Sequence, residues 1–170
     1  MNEFKCGLLP VAGIEPVILI LGSFPGIMSL EKNEYYGNPN NHFWKIIEAV
    51  FGINRNLSYD KKILNLKSKG ISLWDSASEC RRKGSNDSTM TDIIPNDITS
   101  FLKNNRTIRV VALNGITGAG KIFKKHNPDF SDLFPYVTVI ILPSSSAANA
   151  KISPEQKIQQ WKVLNNYLLE

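Results

Sequence analysis

Cysteine is scarce in this chain: Cys6 and Cys80 are the only two among 170 residues. They form neither a CxxC pair nor a Cys/His pattern with zinc spacing, and they are too few for an iron–sulfur cluster held by cysteine alone. The expectation is two reduced, structural thiols, no metal and no cofactor. Long apolar runs are missing too. No segment reaches the roughly eighteen residues that a membrane span needs, and the opening MNEFKCGLLPVAGIEPV lacks the basic region, apolar core and small-residue cleavage site of a secretory signal. A cytoplasmic protein with no membrane contact is expected. Acidic residues are outnumbered, 15 Asp and Glu against 20 Lys and Arg, for a formal charge of +5 and a pI near 9.2. A modest positive field favours a nucleic-acid partner without proving one.

What is present suits one globular domain over residues 1–170, since a chain of this length with 42% hydrophobic residues can bury a substantial core. Nothing demands more than a monomer. Four apolar segments read as strands: VILILG at 17–22, ISLW at 71–74, IRVVALN at 108–114 and VTVIILP at 137–143. They are continuous rather than alternating, as strands covered on both faces are. Helical patterns lie between them, among them NHFWKIIEAVF, DKKILNLKSKG, NDITSFLKNN and GAGKIFKKH. The tail starts with Ser153 as cap and Pro154 at the first helical position, then spaces Ile158, Trp161, Leu164 and Leu168 along one face. Strands alternating with helices predict a mostly parallel sheet between helical layers. Ligands bind such sheets at the carboxyl ends of the strands, which here lead into GSFPG, DSASECRRKG, NGITGAGK and PSSSAANA.

Each of these loops has a plain reading beside a functional one. GITGAGK, Gly115 to Lys121, matches the glycine and lysine spacing of a phosphate-binding loop, but Ile122 stands where that loop needs Ser or Thr to hold magnesium. A glycine-rich strand-to-helix turn is the better reading. In GSFPG, Gly22 and Gly26 let backbone approach a ligand, with Ser23 and Pro25 alongside; Phe24 either stacks on a base or fills the space beneath the loop. PSSSAANA offers Ser144, Ser145, Ser146 and Asn149 as small groups able to enter a groove and bond phosphates, or is an ordinary serine-rich loop. Arg81, Arg82 and Lys83 form a basic run, either a phosphate contact or a solvated loop. The segment YYGNPNNHFW, residues 35–44, holds no acid at all. Asn38 before Pro39 predicts a helix cap with proline at the first helical position, which leaves Asn41 on the first turn. Phe43 and Trp44 are expected to pack inward, and Tyr35 and Tyr36 to sit partly exposed at the rim.

Taken in order, GSFPG, YYGNPNNHFW, LWD and LPSSSAANA resemble the uracil-DNA glycosylase superfamily, and within it the hypoxanthine-DNA (deoxyinosine) glycosylase branch, over about residues 16 to 150. The resemblance implies a three-layer α/β/α sandwich around a short, mostly parallel four-stranded sheet. It also implies a monofunctional DNA glycosylase that hydrolyses the N-glycosidic bond of deaminated bases, hypoxanthine or uracil, flipped out of DNA. Better-known relatives carry a catalytic Asn or Asp near the start of the first loop, where this chain has Ser23 and Phe24. The hypoxanthine branch is attributed a catalytic asparagine in the NPNNHFW-like segment, which leaves Asn41 and Asn38; Asn41 is preferred, because the family often has His at the position of Asn38 and because capping already accounts for Asn38. Tyr36 falls where mismatch-specific relatives stack a ring on the base. Gly22, Ser23, Phe24, Pro25 and Asn114 complete the substrate-binding set, and Arg81, Arg82, Lys83, Ser144, Ser145, Ser146 and Asn149 the DNA-binding set. PSSSAAN has no histidine, unlike some relatives, and has Ala147 where the branch commonly has proline.

Neutral amides suit this chemistry. Breaking the bond develops negative charge on the leaving base, so donors aimed at the base stabilise the transition state. An asparagine supplies two N–H donors and an acceptor without charge. Asp75 is a second candidate, for orienting water; capping the turn after its strand is the alternative. Two competing classes stay open: a catalytically inactive nucleic-acid-binding module of the same fold, and a phosphate-loop hydrolase, which Ile122 disfavours.

Overall fold

The computed structural model describes residues 4–169. Four strands, β2 (Ile18–Gly22), β3 (Ile71–Asp75), β6 (Val110–Asn114) and β7 (Thr138–Leu142), form a sheet in the order β3-β2-β6-β7. Every pairing is parallel, with Ile18 opposite both Ile71 and Val110, and Val110 opposite Thr138. All five residues of β2 are buried, as are all five of β6, because these two strands lie inside the sheet with a helical layer on each face.

The two layers follow from alternation along the strands. Ile18, Ile20, Ile71, Leu73, Val110 and Ala112 face one core, with Phe43, Ile46, Ile47, Trp161 and Leu164. These come from α2 (Phe43–Phe51) and from α7 (Pro154–Trp161) with the turn after it. Leu19, Leu21, Val111 and Leu113 face the other core, against Ile98, Leu102, Phe123 and Phe130 of α4 (Ile98–Asn104), α5 (Lys121–His126) and α6 (Phe130–Leu133), and against Phe134 just after α6. This is the expected three-layer sandwich. The tail helix opens as its sequence predicts: Ser153 Oγ accepts from the Gln156 N–H and Gln156 Oε1 from the Ser153 N–H. It does not run on unbroken. A 3₁₀ turn at Lys162–Leu164 separates α7 from α8 (Asn165–Leu168).

A second, antiparallel sheet is an addition to the sequence reading. It orders β1 (Phe4–Cys6), β4 (Ala77–Arg81) and β5 (Thr91–Pro95) as β1-β4-β5. Arg81 therefore ends a strand, where a loop was expected. The sheet meets the main body through Phe24, Ala77, Cys80 and Ile122, a small apolar cluster under the loop after β2. Cys80 is buried there and Cys6 is exposed, both as free thiols. Among the described residues no helix is long and apolar enough to cross a membrane.

Candidate active site

The carboxyl ends of β2, β3, β6 and β7 bring Gly22, Asp75, Asn114 and the loop after Leu142 to one rim. Asn114 ties the rim together. Its Nδ2 donates to Tyr36 Oη at 3.0 Å and to Ser145 Oγ at 2.9 Å, and its Oδ1 accepts from the Ser145 N–H at 2.8 Å. Both amide hydrogens are thus spent on protein, so Asn114 positions its neighbours. Ser145 is buried at 1% exposure for the same reason, which corrects its expected place on a groove-entering surface. Its carbonyl accepts from the His42 N–H at 2.9 Å. One chain of bonds therefore links β6, the serine loop and the asparagine-rich segment.

That segment folds differently from the expected cap. The helix begins at Phe43, and residues 38–42 form a turn before it. Asn38 Oδ1 accepts from the Asn40 N–H at 3.0 Å, whereas Asn41 Oδ1 accepts from the Phe43 N–H at 2.9 Å. The amide at the helix start is Asn41, and the expectation for Asn38 is corrected. The physical reason is a local Asx turn, in which a short amide captures a main-chain N–H two residues on. With its oxygen engaged, Asn41 keeps its NH₂ group as its remaining donor. Asn41 is half-buried and Asn38 exposed.

Phe43 and Trp44 pack inward as expected, at 0% and 8% exposure. Tyr35 does too, against expectation: its hydroxyl donates to the Leu9 carbonyl at 2.8 Å, and burial pushes its phenol pKa upward. Tyr36 is half-buried and holds a left-handed backbone, φ 54°, a conformation that costs a bulky residue on the order of 1–3 kcal/mol and persists where surroundings impose it. Here they do. Trp44 Nε1 donates to the Tyr35 carbonyl and Ser29 Oγ accepts from the Gly37 N–H, pinning both sides. The Tyr36 ring stacks on Phe43 at 3.6 Å between centroids, so one of its faces is already covered.

Beside Tyr36 lies a buried carboxyl. Asp75 is 4% exposed, and its Oδ2 has no hydrogen-bond partner. Burial first, then the Asp87 carboxylate, push its pKa up to about 7, while Arg82 acts to lower it. The close packing depends on glycine: a Cβ on Gly22 would overlap Asp75 Oδ1 and come within 3.2 Å of Tyr36 Oη. Gly118 plays the same part for Asp87 and Ser23. Asp87 is raised by burial, against a Ser23 hydrogen bond and the nearby Arg82.

Arg82 departs furthest from the sequence reading. Its side chain is fully buried 3.6 Å from Asp87. It donates to the Gly84, Phe24 and Pro25 carbonyls, and its guanidinium lies 5.0 Å from the Phe24 ring centroid. It is the internal brace of the loop after β2, where a phosphate contact was expected. Phe24, 5% exposed, fills the space beneath that loop, the second of its two readings, and Pro25 is buried with it. Arg81 pairs with Asp92 at 3.3 Å and covers Phe4. Of the three basic residues Lys83 is exposed.

The serine loop is turned by its own side chains. Ser144 Oγ accepts from the Ser146 N–H, Ser146 Oγ from the Ala148 N–H, and Asn149 Nδ2 donates to the Ser144 carbonyl. Two side chains of the tail helix hold it from below, Trp161 from the face read as packed and Lys157, on which the sequence reading placed no role. Trp161 Nε1 donates to the Pro143 carbonyl at 2.9 Å, and Lys157 Nζ to the Ser146 carbonyl at 2.9 Å. Helical spacing was the available signal for Lys157, since it shares a face with Trp161 and Leu164. Asp87, in a polar run, had none. A broad groove between β5, α5 and β7, lined by Ile93, Ile116, Lys121 and Ile141, lies elsewhere and includes neither Asn38, Tyr36 nor Asn41.

The rim thus presents neutral amides and hydroxyls, one buried carboxyl of raised pKa, and braced loops. Comparison with known proteins identifies the family. The profile of the uracil DNA glycosylase superfamily matches residues 10–165. A hypoxanthine DNA glycosylase of Methanosarcina acetivorans is 36% identical over 161 residues, 94% of this chain and 97% of that protein. One of Methanosarcina barkeri is 32% identical over 154 residues, 90% and 93% of the two. A solution NMR structure of a Methanosarcina acetivorans protein, proposed to be a uracil DNA glycosylase, superposes with a TM-score of 0.83 at 32% identity, covering 99% of this chain and all of that one. By fold and by sequence, the chain belongs to the uracil DNA glycosylase superfamily.

Proposed function

We propose that the protein is a monofunctional DNA glycosylase of base excision repair, acting as a cytoplasmic monomer without cofactor on deaminated bases, hypoxanthine foremost. The observation that carries this reading is the bonded rim in which Asn114 holds Tyr36 and Ser145, and Ser145 holds the His42 main chain next to Asn41. The target nucleotide leaves the stack, at a cost of a few kcal/mol that is smallest for damaged or mispaired bases, and its base stacks on the free face of Tyr36. Asn41 directs its NH₂ group at the base, where negative charge develops as the bond breaks. Water attacks the oxocarbenium-like sugar, oriented by the ionised fraction of Asp75. Hypoxanthine DNA glycosylases with 36% and 32% identity over nearly the whole chain support hypoxanthine as the first base to test.

Duplexes carrying a single deoxyinosine or deoxyuridine, incubated without metal and then treated with alkali, test the proposal. Free base and strand scission at the lesion are the expected result. Tight binding with no base release would favour the inactive module instead, a reading that Ser23 and Phe24 in the usual catalytic loop keep in view.

A further inference from the structure

Lys157 is 0% exposed, and among the described residues no carboxylate lies within ion-pair distance of it, Glu155 being paired with Lys45 at 3.3 Å. A buried ammonium without a counter-ion is destabilising, and an apolar side chain would fill the same space. Its contacts suggest why a cation stands there. Nζ donates to the Ser146 carbonyl at 2.9 Å and lies 3.4 Å from His42 Nδ1. An ammonium has only donors, so a Nδ1 facing it is the acceptor and the ring proton sits on Nε2.

We propose that His42 is a neutral hydrogen-bond donor to DNA bound at the rim, and that Lys157 is the positioning residue that holds it in the Nε2–H form. The proposal rests on the glycosylase reading for the identity of the ligand, while the tautomer stands on the geometry of the free protein. His42 is half-buried, follows Asn41 directly and bonds through its main chain to Ser145. Among the described residues Nε2 has no bonded partner. Burial first, then Lys157 and Lys45, the cations facing the ring, hold its pKa below the usual histidine value, against Glu155. The lowered pKa favours the neutral imidazole. The acceptor is an oxygen of the DNA, on a base carbonyl or a phosphate.

The chain has two histidines, so imidazole ¹⁵N spectra of wild type and His42→Gln assign His42 by the signals lost. The expected wild-type spectrum has protonated Nε2 and bare Nδ1. Lys157→Met should raise the His42 titration midpoint and mix the tautomers, whereas Lys157→Arg, which keeps the cation, should stay nearer wild type. A wild-type Nδ1–H tautomer, which a neutral Lys157 amine would accept, overturns the proposal, as does an unmoved midpoint in Lys157→Met. If Lys157→Met does not fold, Lys157→Arg and the wild-type spectrum decide the tautomer. On deoxyinosine duplex, His42→Ala should lose about tenfold, one charge-free donor's worth, and His42→Gln, which retains an N–H, should recover most of it. Loss of base release at saturating protein with unchanged affinity identifies a base contact. Equal weakening of damaged and undamaged duplex binding identifies a phosphate. No change in either measurement refutes the donor role. Should wild type release no base at all, the glycosylase reading falls, while the spectra and undamaged-duplex binding still decide this one.

Discussion

Asn38 and Asn41 sit on one turn, and both lend an amide oxygen to the main chain. They differ in where the remaining NH₂ group can go. Asn41 lies against the bonded rim and Asn38 is exposed, so Asn41→Ala should slow base release by about 10²–10³, the cost of one missing donor to a developing anion, while Asn38→Ala should stay within about tenfold. Single-turnover assays on deoxyinosine duplex measure both; the reverse order would move the catalytic role to Asn38. Asp75 makes a prediction about pH. Its carboxyl titrates near 3.8 when unfolded and near 7 when folded, so between those values the native state binds the extra proton. The contribution of Asp75 to stability therefore falls as pH rises from about 4 to about 7 and is level above. Asp75→Asn should remove that contribution and gain roughly 4 kcal/mol over wild type at pH 8 in urea denaturation. A difference between Asp75→Asn and wild type that does not grow from about pH 4 to about pH 7 would contradict the assignment.

At the scale of elements, the site is a set of loops held from beneath. Arg82 bonds to the carbonyls of Phe24 and Pro25 from inside. Replacing it with alanine strands those carbonyls and the half-buried Asp87, so Arg82→Ala should destabilise the fold by about 3–5 kcal/mol, as breaking other buried pairs does. Lys83→Ala should stay within about 0.5 kcal/mol. Denaturant midpoints separate them, and similar values for the two would mean Arg82 is not the brace. This difference between adjacent residues was invisible in the sequence, where Arg81, Arg82 and Lys83 read as one charged run. Of the three only Arg82, the residue after strand β4, is buried, and the register of β4 depends on β1 and β5, which lack the apolar runs that mark buried strands. The parallel strands were legible because burial on both faces demands continuous Val, Ile and Leu. The helix start at Phe43 was not, since Asn38, Asn40 and Asn41 each offer an amide that can capture a nearby N–H. Even so, the motif order GSFPG, NPNNHFW, LWD and PSSSAAN placed the rim residues, because each motif follows a strand end or starts a helix beside one.

The whole molecule carries a formal charge of +5, which steers it toward a polyanion and makes binding depend on salt. Each phosphate neutralised by a lysine or arginine contributes close to one to the slope of log affinity against log salt. If Lys83 is such a contact, Lys83→Ala reduces that slope by about one and weakens damaged and undamaged duplexes alike. An unchanged slope would place the DNA footprint elsewhere. On the proposed reading the sandwich has a separate task, which is to keep Tyr36, Asn114, Ser145 and Asn41 in register while the base is drawn out of the duplex. The central claim is that this rim of neutral donors expels a deaminated base. It is tested most directly by single-turnover release of hypoxanthine from a duplex with one deoxyinosine, in chelator, by wild type and Asn41→Ala. The expected result is free hypoxanthine and an alkali-labile site with wild type, and a loss of about 10²–10³ in rate for Asn41→Ala. Saturated binding of that duplex by folded wild-type protein with no base released, or full activity in Asn41→Ala, would contradict it.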